Sequence, residues 1–169
     1  MISGAHDFDF FHGSWSVTHR KLRHRLAGCD DWDQFSGTLT CHPTRVAFGN
    51  IDDIWLDDPS GAYGAIAMRA FDPSDRTWAI WWLDQRSPHH LDPPVVGTFD
   101  NGIGTFIAED EFDGRPILVR FRWLDTATPH PIWQQAFSPD SGATWELNWE
   151  MFFTPATAGS EPAARMDFD

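Results

Sequence analysis

Apolar and polar residues alternate with a period of two along most of the chain. About ten short alternating segments are separated by turn residues, and helical periodicity is nearly absent. Because successive side chains of a strand point to opposite faces of a sheet, this pattern predicts an all-β protein. We place strands near residues 13–23, 33–41, 45–56, 63–71, 77–84, 95–99, 103–112, 116–124, 131–137 and 144–153.

The turn at Asp113-Gly114 predicts the pairing of its two flanking strands. Asp-Gly is favoured in the two-residue type I′ hairpin, in which both central residues have positive φ. This hairpin pairs Phe106 with Phe121 on one apolar face. Arg120 and Arg122 lie on the opposite face, which we expect to be the outside, although alternation alone leaves a position inside a polar lumen open.

The last strand, TWELNWEMFF, alternates as regularly as the hairpin. Its predicted apolar face comprises Trp145, Leu147, Trp149, Met151 and Phe153. Many antiparallel strands with one apolar face predict a sandwich or a closed barrel, and sequential hairpins favour an antiparallel up-and-down β-barrel of about ten strands. We expect a single barrel domain over residues 1–155 and an acidic, flexible tail over 156–169.

The strand TWAIWWLD, residues 77–84, is apolar on both faces. It places Trp78, Ile80 and Trp82 on one face and Ala79, Trp81 and Leu83 on the other. One face can fill a barrel, but the other needs a cover. The cover is either the N-terminal segment HDFDFF (residues 6–11) or a second subunit, and we expect a homodimer because aromatic residues are enriched at such interfaces.

Composition narrows the classes of partner. The 10 Trp and 14 Phe among 169 residues need burial, which indicates a folded chain. The formal net charge of −13 argues against nucleic acid or an anionic membrane as a partner, since both need a basic surface. No apolar run is long enough for a membrane span and no secretion signal is visible, so we expect a cytoplasmic protein.

One short segment departs from the acidic average. RKLRHR, Arg20 to Arg25, holds four of the twelve basic residues and is followed by DDWD, Asp30 to Asp33. Oppositely charged strand ends paired across a loop are one interpretation, and an anion-binding site is the alternative. Cys29 and Cys41 are expected to be free thiols, and no Cys/His spacing is typical of zinc, so we predict neither a metal nor a cofactor.

The motif FHGSWSV, Phe11 to Val17, opens the first predicted strand. Phe-x-Gly-x-Trp at the start of a β chain resembles the N-terminal signature of the calycin superfamily, the lipocalins and fatty-acid-binding proteins. The strand rhythm is similar to that of bacterial lipocalin-like families of unknown function over about residues 8–155. The resemblance implies that Gly13 permits close strand approach and that Trp15 plugs one end of the barrel.

A second motif, SPDSGATW from Ser138 to Trp145, resembles the Asp box of sialidase-type propellers. In a propeller this hairpin loop is repeated in each blade, but this chain is too short for several blades. We therefore expect Asp140 to have a structural role, in which its carboxylate accepts backbone hydrogen bonds within a hairpin loop.

A barrel of this size encloses a cavity that its side chains fill only in part, and flat aromatic side chains suit the lining of such a pocket. The predicted function is the binding of a small apolar or aromatic molecule in the lumen. The predicted ligand-binding residues are Trp15, His19, Trp78, Trp82, Phe106, Phe121, Trp123 and Trp149.

Three alternatives use the same barrel. An enzyme would employ His19, Asp84 and His89 as acid–base residues, with Arg69 or Arg86 stabilising an anion. A haem-binding barrel would use a histidine as axial ligand. A filled barrel would act as a dimeric interaction module. The spacing of these residues specifies no reaction, so the sequence leaves enzymatic activity open.

Overall fold

The computed structural model describes residues 4–46 and 48–157, which form one short 3₁₀ helix, η1, and ten β-strands. Their bounds are η1 Asp9–Phe11, β1 Gly13–Leu22, β2 Trp32–Pro43, β3 Asn50–Leu56, β4 Tyr63–Asp72, β5 Thr77–Asp84, β6 Val95–Asp100, β7 Ile103–Phe112, β8 Arg115–Leu124, β9 Ile132–Ser138 and β10 Glu146–Pro155. All ten predicted strands are confirmed. The largest difference is at β3, which begins at Asn50 rather than at residue 45 because a turn closed by Thr44 N–H and the Gly49 carbonyl precedes it.

The ten strands form a closed antiparallel up-and-down barrel, as predicted. Each strand pairs with its neighbours in sequence, and β1 pairs with β10 to close the sheet. Tight hairpins produce this order: Asp113 and Gly114 have φ of 49° and 74°, and Phe106 pairs with Phe121 in the predicted register. Because β1 pairs with β10, neither the first nor the last strand is an edge strand.

Arg120 and Arg122 of β8 lie outside the barrel, as expected. Arg120 pairs with Ile107, which is exposed on the outer face of β7. The Arg120 guanidinium carbon lies 4.2 Å from the ring centroid of Trp145, over which it stacks on the outer wall. Arg122 alternates with inward-facing residues of β8 and is half-buried on the same outer face as Arg120.

The regular alternation predicted for the last strand is wrong at its beginning. β10 starts at Glu146, and the register of its pairing with β9 shifts between Leu147 and Trp149. One extra residue reverses the faces on its two sides, as in a β-bulge. From Trp149 onward the predicted apolar face is inside the barrel, whereas Trp145 lies outside, beneath Arg120.

The loop between β9 and β10 is held by the side chain of Asp140. Its Oδ1 accepts hydrogen bonds from the Thr144 backbone N–H and the Ser138 hydroxyl, both at 2.8 Å. The Ser138 hydroxyl in turn accepts a 2.7 Å bond from Gly142 N–H. The structural role predicted for Asp140 is confirmed.

The N-terminal segment closes one end of the barrel from within. Phe8 and Phe11 are 1% and 0% exposed, and the Phe11 ring stacks on Trp15 at a centroid distance of 5.5 Å. The Trp15 indole N–H also donates to the Phe11 carbonyl at 2.9 Å. Trp15 therefore lies at the plugged end, and the HDFDFF segment packs inside the barrel rather than over the outer face of β5.

The role implied for Gly13 by the resemblance is wrong. A Cβ at this position would meet no atom within 4 Å, so close strand approach does not require glycine here. Gly13 has a φ of 126°, which L-residues with side chains rarely adopt. The glycine instead allows the chain to turn from η1 into β1.

Three remaining expectations concern the chain as a whole. Cys29 and Cys41 are both free thiols. No helix of the described residues is long and apolar enough to cross a membrane. The tail predicted over 156–169 falls, from residue 158 onward, outside the described residues.

Candidate ligand-binding cavity

An open cavity of about 650 Å³ occupies the end of the barrel opposite η1. Inward-facing side chains of β1 and β5–β10 form its walls, and the loops that follow β1 and β5 form its rim. A much smaller void of about 20 Å³ lies deeper, toward the plugged end. The barrel is therefore packed at one end and open at the other.

Four aromatic rings form one continuous wall of this cavity. Trp149 is at its centre, with Trp82 at 5.8 Å and Trp133 at 5.5 Å between ring centroids. Phe121 contacts Trp133 at 4.8 Å. Interplanar angles of 69° to 88° make all three contacts edge-to-face, the arrangement that aromatic quadrupoles favour.

Two aromatic residues of this lining, Trp133 and Phe137, are absent from the predicted ligand-binding set. Both lie on β9, where Trp133, Gln135 and Phe137 are buried and line the cavity. The period-two pattern of IWQQAFS indicates their shared position, because Trp133 and Phe137 are four residues apart and therefore lie on the same face of the strand. The pairing of Gln135 with Phe121 confirms that this face is continuous with the wall.

The eight predicted ligand-binding residues all point inward, but they lie at different depths. Those that line the open cavity are Trp82, Phe121 and Trp149. Trp123 borders the small void beneath it. Those that pack against the N-terminal segment at the plugged end are Trp15, Trp78 and Phe106. Alternation identifies the face of a residue but not its height along the barrel.

The eighth residue, His19, is enclosed behind the wall. Its Nδ1 accepts a 3.2 Å hydrogen bond from the Trp149 indole N–H, and its ring stacks on Phe35 at 4.8 Å. A Cβ at Gly37 would lie 2.6 Å from Nε2, so the backbone of β2 covers the other nitrogen. Burial, with a contribution from Lys21, lowers the pKa of His19 to about 3. His19 holds the orientation of Trp149.

The acid–base candidates of the enzymatic alternative have different surroundings in the structure. Asp84 pairs with Arg86 at 2.6 Å on the rim. His89 lies in the exposed loop after β5. Among the hydrogen bonds of residues 4–46 and 48–157, none joins His19, Asp84 and His89. The geometry therefore offers no acid–base cluster built from these three groups.

Arg69, the other candidate anion ligand, lies in the packed interior. Its guanidinium donates to both carboxylate oxygens of Asp52 at 2.8 Å and to the Asn50 side-chain oxygen at 2.9 Å. The Asp52 carboxylate neutralises the buried charge of Arg69. Within the part of the chain that the structure describes, no three His, Cys, Asp or Glu side chains form a group that could hold a metal ion.

The basic segment after Arg20 contributes charge to the rim. Arg23 pairs with Asp33 at 2.8 Å, which confirms the predicted pairing across the loop for this residue. Lys21 reaches Asp58 at 2.9 Å, and its Nζ lies 4.7 Å from the Trp149 ring centroid. Burial alone would raise the pKa of Asp58, but hydrogen bonds from Ser60 and the Lys21 charge lower it to about 2.

The opposite side of the rim is acidic. Asp92, before β6, and Asp110, on β7, both line the mouth. Partial burial and the neighbouring Asp110 raise the pKa of Asp92. In the circular strand order, β6 lies five strands from β1, so the acidic and basic sides face each other across the mouth.

Comparison with known proteins identifies the fold but no family. No family model and no curated protein matches the sequence. Among solved structures, the barrel is similar to the S-type phycobiliprotein lyase CPES from Guillardia theta, with a TM-score of 0.54 and 8% identity over 89% of this chain and 91% of that chain. This similarity supports the calycin-like fold expected from the sequence.

Proposed function

We propose that this protein binds a small, flat aromatic molecule in the open end of its barrel. The observation that carries the proposal is the wall of Trp82, Phe121, Trp133 and Trp149 around a cavity of about 650 Å³. That volume lies within the usual range for ligand pockets, roughly 300–1,000 Å³. The open cavity does not fit the alternative of a filled barrel.

Contacts within the protein hold the side chains of the aromatic wall in place. The His19 ring accepts a hydrogen bond from the indole N–H of Trp149, and Trp82 and Trp133 contact the same indole edge-to-face. Ligand binding therefore orders few additional side chains, which keeps its entropic cost low. The favourable term is burial of apolar area, at roughly 25 cal/mol per Å².

Titration with the neutral fluorophore N-phenyl-1-naphthylamine tests the proposal. We expect saturable one-to-one binding that raises the emission of the fluorophore and quenches tryptophan emission. Trp82→Ala removes one ring of the wall and should weaken binding about tenfold, equivalent to about 1.4 kcal/mol. The matched control is Trp55→Ala, because the Trp55 indole lies on the outer face of β3 and donates to Asp57.

Trp55→Ala should leave the dissociation constant unchanged within about twofold. Binding that never saturates while circular dichroism shows an intact fold would exclude the cavity as a ligand site. Equal weakening by Trp82→Ala and Trp55→Ala would also contradict the proposal, because it would show an effect unrelated to the lumen.

A second proposal concerns the outer face of β5: we infer that two copies of the chain associate through it. Met68 pairs with Trp81, and Val96 pairs with Ile107, so these outward side chains lie on four adjacent strands. Met68, Val96 and Ile107 are each 41–43% exposed. We call these four residues the outer patch, and contiguous exposed apolar side chains of this kind are typical of interfaces.

The occupant most compatible with this patch is a second copy of the chain. The N-terminal segment is packed inside the barrel, so it does not cover the patch. The four residues carry no charge, so two copies can meet here even though each has a net charge of −13. A twofold axis pairs such a patch with itself.

A further inference from the structure

Arg25 lies in the loop between β1 and β2 and extends over the cavity. Its guanidinium carbon is 5.4 Å from the ring centroid of Phe137 and 5.9 Å from that of Trp149. Both rings belong to the cavity lining. The cation is thus held directly above the surface on which an aromatic ligand would rest.

Arg25 differs from its neighbours because it has no ionic partner in residues 4–46 or 48–157. Lys21 pairs with Asp58, and Arg86 pairs with Asp84. The nearby carboxylates of Glu146 and Asp58 attract the charge of Arg25 but form no ion pair with it. Glu146 Oε1 accepts the Leu26 backbone N–H at 2.7 Å.

The surroundings of the Arg25 guanidinium favour an anionic partner. Arg25 is half-buried, and this burial lowers the pKa of its guanidinium. Its N–H donors form no hydrogen bond with the described residues, so they can donate to a group in the cavity. The planar fork of donors matches two oxygens of a carboxylate or sulfonate.

The remaining charges of the rim favour the same location for an anion. Asp92 and Asp110 lie across the mouth from the loop of Arg25 and repel negative charge there. The carboxylates of Asp58 and Asp84 already neutralise Lys21 and Arg86. The described Lys and Arg residues that line the cavity are Lys21, Arg23, Arg25 and Arg86, and of these only Arg25 has no ion pair.

We infer that Arg25 binds the anionic group of the ligand, so that the ligand class is a flat aromatic monoanion with a carboxylate or sulfonate beside its rings. This inference rests on the proposed function, since the ring system must occupy the aromatic wall for its anion to reach the loop. It also gives the basic segment RKLRHR the second role that the sequence left open, an anion site at Arg25.

A pair of fluorophores separates recognition of the rings from recognition of the charge. 8-Anilinonaphthalene-1-sulfonate and N-phenyl-1-naphthylamine share the same ring system, and only the first carries a sulfonate. Arg25→Met should weaken binding of the sulfonate tenfold or more and change binding of the neutral compound by less than about twofold. The control Arg115→Met removes an exposed cation from the same end of the barrel and should change neither.

The outcomes distinguish the two proposals. If the wild type binds neither compound saturably, the proposed function fails. If the neutral compound binds but the sulfonate does not, or if Arg25→Met leaves sulfonate binding intact, the inference about Arg25 is overturned while the proposed function stands. Equal weakening of both compounds by Arg25→Met also overturns it, because Arg25 would then shape the cavity without recognising charge.

Discussion

The imidazole of His19 is completely buried, and its surroundings keep it neutral. Phe35 covers one face, Trp149 donates to Nδ1, and the backbone at Gly37 approaches Nε2. Its pKa falls from 6.5 to about 3, chiefly because burial removes water from the charged form. A residue that titrates in the unfolded chain but not in the folded one makes stability depend on pH.

The direction of the pH dependence of stability follows from which state of the protein, folded or unfolded, binds the proton. Below about pH 6.5 the unfolded chain protonates His19 while the folded protein does not, so the free energy of unfolding falls as the pH falls. The expected slope is about 1.4 kcal/mol per pH unit, which gives a loss of about 2 kcal/mol between pH 6.5 and pH 5. Urea unfolding at these two pH values measures it.

The control for this measurement is His19→Gln, which keeps an acceptor for the Trp149 indole N–H but does not titrate. Its free energy of unfolding should fall by about 2 kcal/mol less than that of the wild type over the same pH interval. Identical pH slopes for the two proteins would show that His19 gains a proton in the folded state as readily as in the unfolded one.

At the scale of single elements, the short segment around η1 has the largest effect on the shape of the lumen. The Phe8 ring contacts Trp78, Phe99 and Phe106 at centroid distances of 4.9 Å, 4.9 Å and 5.8 Å. It fills the end of the barrel that would otherwise be a second opening. The ligand cavity is therefore restricted to the opposite end.

Phe8→Ala should lower the free energy of unfolding by about 3–5 kcal/mol, as for other fully buried aromatic rings. Phe10→Ala, in the same segment, removes a half-buried ring and should cost clearly less. Urea titrations of both variants against the wild type check this. Equal, small losses would mean that the segment does not belong to the core.

At the scale of the whole molecule, the outer patch tests the proposed self-association. Trp81→Glu places two like charges in a symmetric, desolvated contact, so we expect a folded monomer where the wild type is a dimer. Sedimentation velocity over a range of micromolar concentrations measures this. Phe152→Glu is the control, because Phe152 is exposed on β10, away from the patch. A wild type that stays monomeric at high micromolar concentration would exclude the dimer.

Local patterns were sufficient to predict most of the architecture. The ten strands, the Asp113-Gly114 hairpin and the loop folded by Asp140 depend on side-chain alternation and turn chemistry within a few residues. The inward faces of Trp82 and Phe121 follow from the same alternation. These features could be predicted because the interactions that decide them are close together in sequence.

The tertiary structure decided the depth of each residue, the bulge and the directions of the loops. Trp78 and Trp82 share one face of β5, but only contact with Phe8 shows that Trp78 is in the plug while Trp82 faces the open cavity. The position of Arg25 above Trp149 likewise depends on a loop and a strand that are distant in sequence. The sequence by itself determined a barrel with an aromatic interior, and long-range packing determined where that interior is open and which charge lies over it.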